Sequence, residues 1–416
     1  MRTASLVLEW IIALAWIGRL AEAVAGFGGV PNLWDPEFDA IPEGSPRVTV
    51  IVPARNEAAN IAACIKSLLR QDYPNLRVIA VDDRSTDSTG VTLDQLGAGN
   101  QAGRLKVLHV KVLPAGWLGK THAMALAART AVTADATDYL LFTDADIVFA
   151  PEAVRRALVA AVRTRADHFV TLPTTISKTR GEALVLAFLQ VIGMWAVRTW
   201  RVADPKAKRD AIGVGAFNML RTGVYRQIGG FETLRMEVLE DLTLGRLVKL
   251  AGLRQRVAIA PGLVSVHWAS GVLGIIRGMT KNFFAVFEYR VSLLLLATLA
   301  TAVLCIGPAV LLAVPEARLP SLLAWAAAAG MYAISSRVSQ LSPWYAVLMP
   351  AGAAIVVYAM LRSTLVTLFR GGVTWRGTFY SLEELRRHHL LRRARAAGSL
   401  SDSLGEPSDS IYDSLR

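Results

Sequence analysis

The run Asp138-Tyr-Leu-Leu-Phe-Thr-Asp144-Ala-Asp146-Ile-Val-Phe149 decides how the chain is read. Its large apolar residues fit a strand buried on both faces, as in a parallel sheet, and it ends in two carboxylates one residue apart. In an open α/β sheet the carboxyl ends of strands line the ligand crevice, so these acids stand at the mouth of a site. Carboxylate oxygens suit a hard divalent cation that also holds substrate phosphates. The plainer alternative is a turn in which Asp144 caps a helix beginning near Pro151.

Upstream, strands and helices alternate. Val48–Val52 reads as a strand stopped by Pro53, Glu57–Arg70 as a helix, Arg77–Val81 as a second strand, and Leu105–Val110 as a third. Lys120–Ala131 then reads as a helix, and Leu140–Thr143 as a fourth strand. This order predicts an α/β class with a Rossmann-like, mainly parallel sheet. Polar residues gather at the strand ends: Pro53-Ala-Arg55-Asn56-Glu57, then Asp82, Asp83 and Asp87, then Asp144 and Asp146. Asp87 and Ser88 also suit helix capping. Neither a Gly-x-x-x-x-Gly-Lys-Ser/Thr loop nor a Gly-x-Gly-x-x-Gly after the first strand occurs, which argues against a P-loop NTPase or a dinucleotide oxidoreductase.

Bulk properties frame this domain. With 416 residues, 53% hydrophobic and mean hydropathy +0.39, the chain is long enough for a soluble domain plus membrane segments. The net charge of +12 fits a membrane-surface or polyanion partner; nucleic acid is not expected. Two cysteines, Cys64 and Cys305, leave no room for a disulfide framework or a Cys-based zinc site and fit a reducing cytoplasm.

Residues 1–30 read as a tilted anchor or interfacial helix, because Glu9, Arg19 and Glu22 leave a short uncharged core. Proline-rich residues 31–46 read as a linker, and 47–290 as the α/β domain. Residues 182–202 carry an uncharged run too short to span, read as a buried core helix or an interfacial helix lining an acceptor entrance. Val291–Val314 and Pro343–Phe369 are each long enough to span, and Leu319–Ser335 is marginal, so 291–370 reads as transmembrane with Arg362 snorkelling. Residues 371–397 read as a basic juxtamembrane tail and 398–416 as disordered.

Several ordered motifs resemble family 2 glycosyltransferases, whose nucleotide-sugar half has the GT-A fold. These are Val50-Ile-Val-Pro-Ala-Arg-Asn-Glu57, Val81-Asp-Asp-Arg-Ser-Thr-Asp87 and Thr143-Asp-Ala-Asp146. Gly116-Trp-Leu-Gly-Lys120-Thr-His-Ala123 is similar to the donor loop of the lipid-glycosylating branch, and Gly215-Ala-Phe-Asn218, Gly229-Gly-Phe-Glu232 and Leu239-Glu240-Asp241 to its acceptor half. Among its groups the motifs look most like the hopene-associated glycosyltransferases, near ceramide glucosyltransferase-like and carotenoid-glycosylating enzymes.

The resemblance implies a multi-pass inner-membrane enzyme with a cytoplasmic catalytic domain, moving one sugar from a UDP-sugar to a lipid hydroxyl with inversion. Asp83 would contact the uracil, helped by the turn that includes Pro53, Arg55 and Glu57. Asp146, supported by Asp144, would hold Mg2+ or Mn2+ against the diphosphate. Lys120 is either a point charge beside those phosphates or a solvated first-turn residue. Asp241 stands where the family places its base, with Glu240 as substitute; capping is the alternative for both. The family's Gln/Arg-x-x-Arg-Trp motif is missing. Arg277 and Lys281 share a helix face and either supply its charge to acceptor and diphosphate or belong to a basic membrane-surface helix. The missing motif weighs against a processive polysaccharide synthase. A silent nucleotide-sugar-binding partner is the third reading, opposed by Asp83, Asp146 and Asp241.

Overall fold

The computed structural model describes residues 2–99, 103–134 and 137–396, so the disorder expected for 398–416 lies outside the described residues. A 26-residue helix, Arg2–Phe27 (α1), opens the chain. The expected alternation follows as Val48–Ala54 (β1), Ile61–Leu69 (α2), Leu76–Asp83 (β2), Thr89–Gly97 (α3), Leu105–Val110 (β3), Gly119–Ala134 (α4) and Tyr139–Phe142 (β4). Next come Ile147–Phe149 (β5), Ala153–Arg163 (α5), His168–Leu172 (β6), Thr174–Thr175 (β7), Arg180–Ala196 (α6), Asn218–Arg221 (β8), Thr222–Gln227 (α7), Glu240–Leu250 (α8), Gln255–Ile259 (β9) and Val264–Val266 (β10). The last part comprises Gly271–Met279 (α9), Phe283–Val286 (α10), Val291–Cys305 (α11), Gly307–Leu311 (α12), Arg318–Ser339 (α13), Met349–Arg370 (α14), Gly372–Trp375 (β11), Thr378–Ser381 (β12) and Leu382–Ala396 (α15).

Seven strands form one sheet in the order β3-β2-β1-β4-β8-β6-β9. The pairs β1–β2, β2–β3, β1–β4 and β6–β9 are parallel, whereas β8 runs antiparallel to both neighbours. The sheet is therefore mixed and mostly parallel, as expected. Both of its faces are apolar because successive strand residues point to opposite sides. Val50, Val52, Val78, Ala80 and Leu141 bury against α2 and α5, while Ile51, Ile79, Val81, Leu140 and Phe142 bury against α4.

Strand β1 runs two residues past its expected end, through Pro53. Its ladder with β4 finishes at Ile51, while pairing to β2 continues to Ala54, so proline's missing N–H falls where one side needs no donor. Asp144 does not cap the next helix. A short strand intervenes, β5 pairing with β10, and α5 starts only after Glu152. The expected linker is strapped to the domain: Leu33 and Phe38 are buried, and Asp39 pairs with Arg155 and Arg156 at 2.8 Å each.

Three described helices are long and apolar enough to cross a membrane: Arg180–Arg201, Pro315–Ser339 and Pro343–Arg370. Two expectations change here. Residues 180–201 reach spanning length because α6 starts before the uncharged run and the short helical turn Thr199–Arg201 follows it after an extended Val197. Val291–Val314 does not form one span, because Gly307-Pro308 breaks it after Cys305. Helix α1 packs along α13: buried Glu9 accepts from Ser321 Oγ at 2.8 Å, and Trp16 Nε1 donates to Leu304 O at 3.0 Å. These helices share one core yet expose Ile11, Leu14, Leu296, Leu299, Leu322, Leu365 and Phe369, an apolar belt larger than ordinary surface residues explain. The expected basic tail is not free. Residues 372–381 form an antiparallel hairpin whose Tyr380 is buried in that core.

Candidate functional site

The loops after β1 and β2 are knitted together. Asn56 N–H donates to Ser85 Oγ (3.0 Å), Glu57 N–H to Thr89 Oγ1 (2.8 Å) and Ala58 N–H to Asp87 Oδ2 (3.1 Å). Asn56 and Arg84 sit at φ 54° and 57°, the left-handed turn geometry this crossing needs. Asp87 is therefore a scaffold residue, and Asp82 is another, accepting from Ser85 N and meeting His109 Nδ1 at 3.2 Å each. Asp83 is fully buried and clamped by Arg84, whose Nε and Nη2 lie 2.8 and 3.1 Å from its oxygens, with Arg55 at 3.9 Å. Gly119 packs against that carboxylate so closely that any Cβ would collide with it.

Lys120 is neither a solvated residue nor open to solvent phosphates. Its Nζ lies 2.5 Å from Asp144 Oδ1 and 2.6 Å from Glu240 Oε1, and its side chain is 10% exposed. Burial would discharge it, but the carboxylates of Asp144, Glu240 and Asp241 oppose this and hold its pKa above that of a free lysine. Glu240 is itself buried. Asp241 is half-buried, with Oδ1 accepting from Leu242 N–H at 2.8 Å. A Cβ on Gly215 would stand 2.6 Å from Asp144 Oδ2 and 3.3 Å from Asp241 Oδ2, so the two acids face each other across one glycine. Burial first, then the charge of Glu240, pushes Asp241 up to about 6, with Lys120 pulling the other way. A cavity of about 10 Å³ borders these side chains, room for one water.

Asp146 is pushed up to about 6, by burial first and then by the charges of Asp144 and Glu57. No ion pair neutralises it among the described residues, whereas Asp144 has Lys120. This excess of negative charge fits a divalent cation. The described residues hold no cluster of three or more His, Cys, Asp or Glu able to bind a metal alone. The fit is thus to an ion that takes one or two carboxylates and completes its shell from phosphates and water.

The chain's end reaches the same place. In the hairpin β11–β12, Arg376 and Gly377 turn at φ 49° and 75°, the two-residue turn that matches strand twist. Tyr380 Oη accepts from Gly119 N–H at 3.3 Å, and Lys281 Nζ sits 4.5 Å from the centroid of the Trp375 ring. Lys281 lies close enough to feel Glu240, Asp144 and Asp241. Arg277 is exposed and has no carboxylate partner among the described residues. His267 meets Glu182 at 3.4 Å, away from these acids. Sequence reasoning missed the hairpin, although Val-Thr-Trp-Arg-Gly-Thr-Phe-Tyr carries a hairpin signature. It also missed a buried chain behind Asp241, for which no local signal exists. Gln255 Nε2 donates to His168 Nδ1 at 2.8 Å, His168 donates to Asn218 Oδ1, and Asn218 Nδ2 reaches Asp241 O at 3.4 Å. Burial lowers His168 to about 4, so it stays neutral.

Residues 49–241 match the family model Glycosyl transferase family 2, so the chain carries the domain of a transferase enzyme. Curated relatives include a 4,4'-diaponeurosporenoate glycosyltransferase of Staphylococcus haemolyticus, 26% identical over 59% of this chain and 64% of that protein. The corresponding protein of Staphylococcus aureus is 27% identical over 48% and 50%. The chain thus spans between half and two thirds of these relatives' lengths. Among solved structures, a mannosyltransferase of Pyrobaculum calidifontis in complex with GDP-Man and Mn2+ aligns over 87% of this chain and 99% of its own, with TM-score 0.51 and 18% identity. That likeness shows a GT-A-like fold.

Proposed function

We propose that this chain is a membrane-bound inverting glycosyltransferase that moves one sugar from a UDP-sugar to the hydroxyl of an apolar lipid, such as a hopanoid or a carotenoid. The observation that carries the reading is Asp241 facing Asp144 across Gly215, at the strand-end edge where the apolar helices also pack. The relatives named for a diaponeurosporenoate support an apolar acceptor.

Each residue has a distinct task. Asp83, Arg55 and the Pro53–Glu57 turn take the nucleoside, which requires Arg84 to yield Asp83 to the base. Asp146, with Asp144, would hold a divalent ion, Mg2+ or Mn2+, whose charge would offset that of the departing diphosphate. Lys120 holds Asp144 in place. Asp241 takes the acceptor proton while the acceptor oxygen attacks the anomeric carbon. Its raised pKa suits that task, since a base works best when its pKa approaches the working pH. Glu240, committed to Lys120, is the poorer base. The apolar belt supports seating the catalytic domain on a bilayer, read as the cytoplasmic face of the inner membrane.

The test incubates purified full chain with labelled UDP-sugars, Mn2+ and native lipid extract, followed by mass spectrometry of the lipids. One added sugar on one lipid is expected; a polymer ladder would favour a processive synthase. Asp241→Asn should keep nucleotide binding and lose turnover by roughly two or more orders of magnitude. Near-normal turnover would return Asp241 to a capping role.

A further inference from the structure

A second, larger cavity of about 220 Å³ lies beside the acids, between α9, α14 and the hairpin. Arg277, Lys281, Arg362 and Arg370 line it together with Thr280 and Thr374, and no carboxylate does. None of the three arginines has a carboxylate partner among the described residues. Four cations that converge in a lining with no carboxylate repel one another, a cost that a bound anion removes.

The cavity is preformed. Arg362, Val366 and Arg370 recur every four residues and so share one face of α14. Arg362 donates to Thr280 Oγ1, Ser363 Oγ donates to Thr280 O at 2.6 Å, and Phe284 N–H donates to Ser363 Oγ at 3.0 Å. These bonds fix the end of α9 against α14 and aim Arg277 and Lys281 at the same space. The hydroxyl of Thr374 adds a neutral donor, while that of Thr280 donates to Ile276 O at 2.9 Å and serves to hold Arg362. The outer face of α14 beside the cavity exposes Leu365, Leu368 and Phe369, so one rim is charged and the other apolar. That pairing matches an amphiphile.

We propose that this cavity binds the oxyanion, a phosphate or carboxylate, of an anionic lipid whose apolar part lies along α14. It is separate from the Asp144–Asp146 ion site and rests on the glycosyltransferase reading only in placing α14 in a bilayer. Burial lowers Lys281 to about 8, and an anion in the cavity keeps it charged.

The probes are dioleoyl phosphatidic acid, dioleoyl phosphatidylcholine and inorganic phosphate, titrated into the full chain in neutral detergent and read by native mass spectrometry. Phosphatidic acid should bind one to one and phosphatidylcholine should not saturate. Arg277→Gln and Arg370→Gln, both at exposed positions, should each weaken binding about tenfold or more, the scale of one charge-assisted hydrogen bond. Arg337→Gln, an exposed arginine elsewhere, should change nothing. Inorganic phosphate binding as tightly as phosphatidic acid would support the oxyanion site but reject the lipid as its source. Equal binding of both lipids, or no effect of either variant, overturns the proposal. Mn2+-dependent UDP binding measured in parallel keeps the two readings apart. Retained nucleotide binding with lost lipid binding sinks the cavity alone, and the reverse sinks the donor-site reading alone.

Discussion

Replacing Lys120 by methionine keeps the length of the side chain and removes its charge. In the wild type one ammonium lies 2.5 Å from Asp144 and 2.6 Å from Glu240, whose side chain is 4% exposed. Removing one partner of a buried ion pair costs about 3–5 kcal/mol, chiefly because the remaining charge stays buried and unpaired. For a domain of this size that is roughly 10 °C in Tm. The deficit depends on pH. In Lys120→Met the neighbouring carboxylates lose their counter-charge, a penalty that applies only while they are ionised and so fades as the solution becomes acidic. The mutant should therefore be closest to wild type near pH 5 and furthest from it near pH 8. Thermal unfolding in neutral detergent, followed by circular dichroism across that range, reads both effects. Lys120→Met with Glu240→Gln should recover part of the loss, since no unpaired carboxylate then remains at Glu240. A single mutant within about 1 kcal/mol of wild type at every pH would refute the buried pair and return Lys120 to a solvated helix start.

Asp146→Asn should sharply weaken Mn2+-dependent UDP binding while leaving metal-free binding alone; calorimetric titration with and without Mn2+ decides, and unchanged metal dependence sinks the ligand role. Because Asp241 must be ionised to accept a proton and is pushed up to about 6, kcat/KM should rise with pH through that value and level off above it. A profile flat down to pH 4.5 would remove Asp241 as the base. Glu237 is buried beside Arg392, 3.3 Å away, and burial pushes it up to about 7. Its contribution is present below its unfolded pKa of about 4.5 and is lost as pH rises toward 7. Glu237→Gln should therefore raise Tm at pH 8, by an amount equivalent to at most about 3 kcal/mol, and do little at pH 4.5; equal Tm differences at both pH values would contradict this.

Local physics made the sheet half of the chain legible. Every residue of the β1 stretch is buried, and a strand covered on both faces is apolar along nearly all its length, Thr49 excepted with its hydroxyl bonded to Thr137, a pattern visible one window at a time. The same holds for the acids at strand ends, since connections at that edge leave the sheet and carry its polar residues. Three things were decided only by tertiary structure. Lys120 looked equally fit for solvent or phosphate, because nothing near it in sequence reveals that Asp144 and Glu240, far along the chain, close on its ammonium. The break after Cys305 rests on Gly307-Pro308, which a hydropathy window averages away. Residues 372–381 read as a tail because their basic composition carries more weight than four-residue strands; it took the end of α14 to return that hairpin to Gly119 and Lys281. Composition and period report what one segment buries. The burial and the distances between charges that segments create together belong to the folded chain; they raise the pKa of Asp241 and build the basic cavity between α9 and α14.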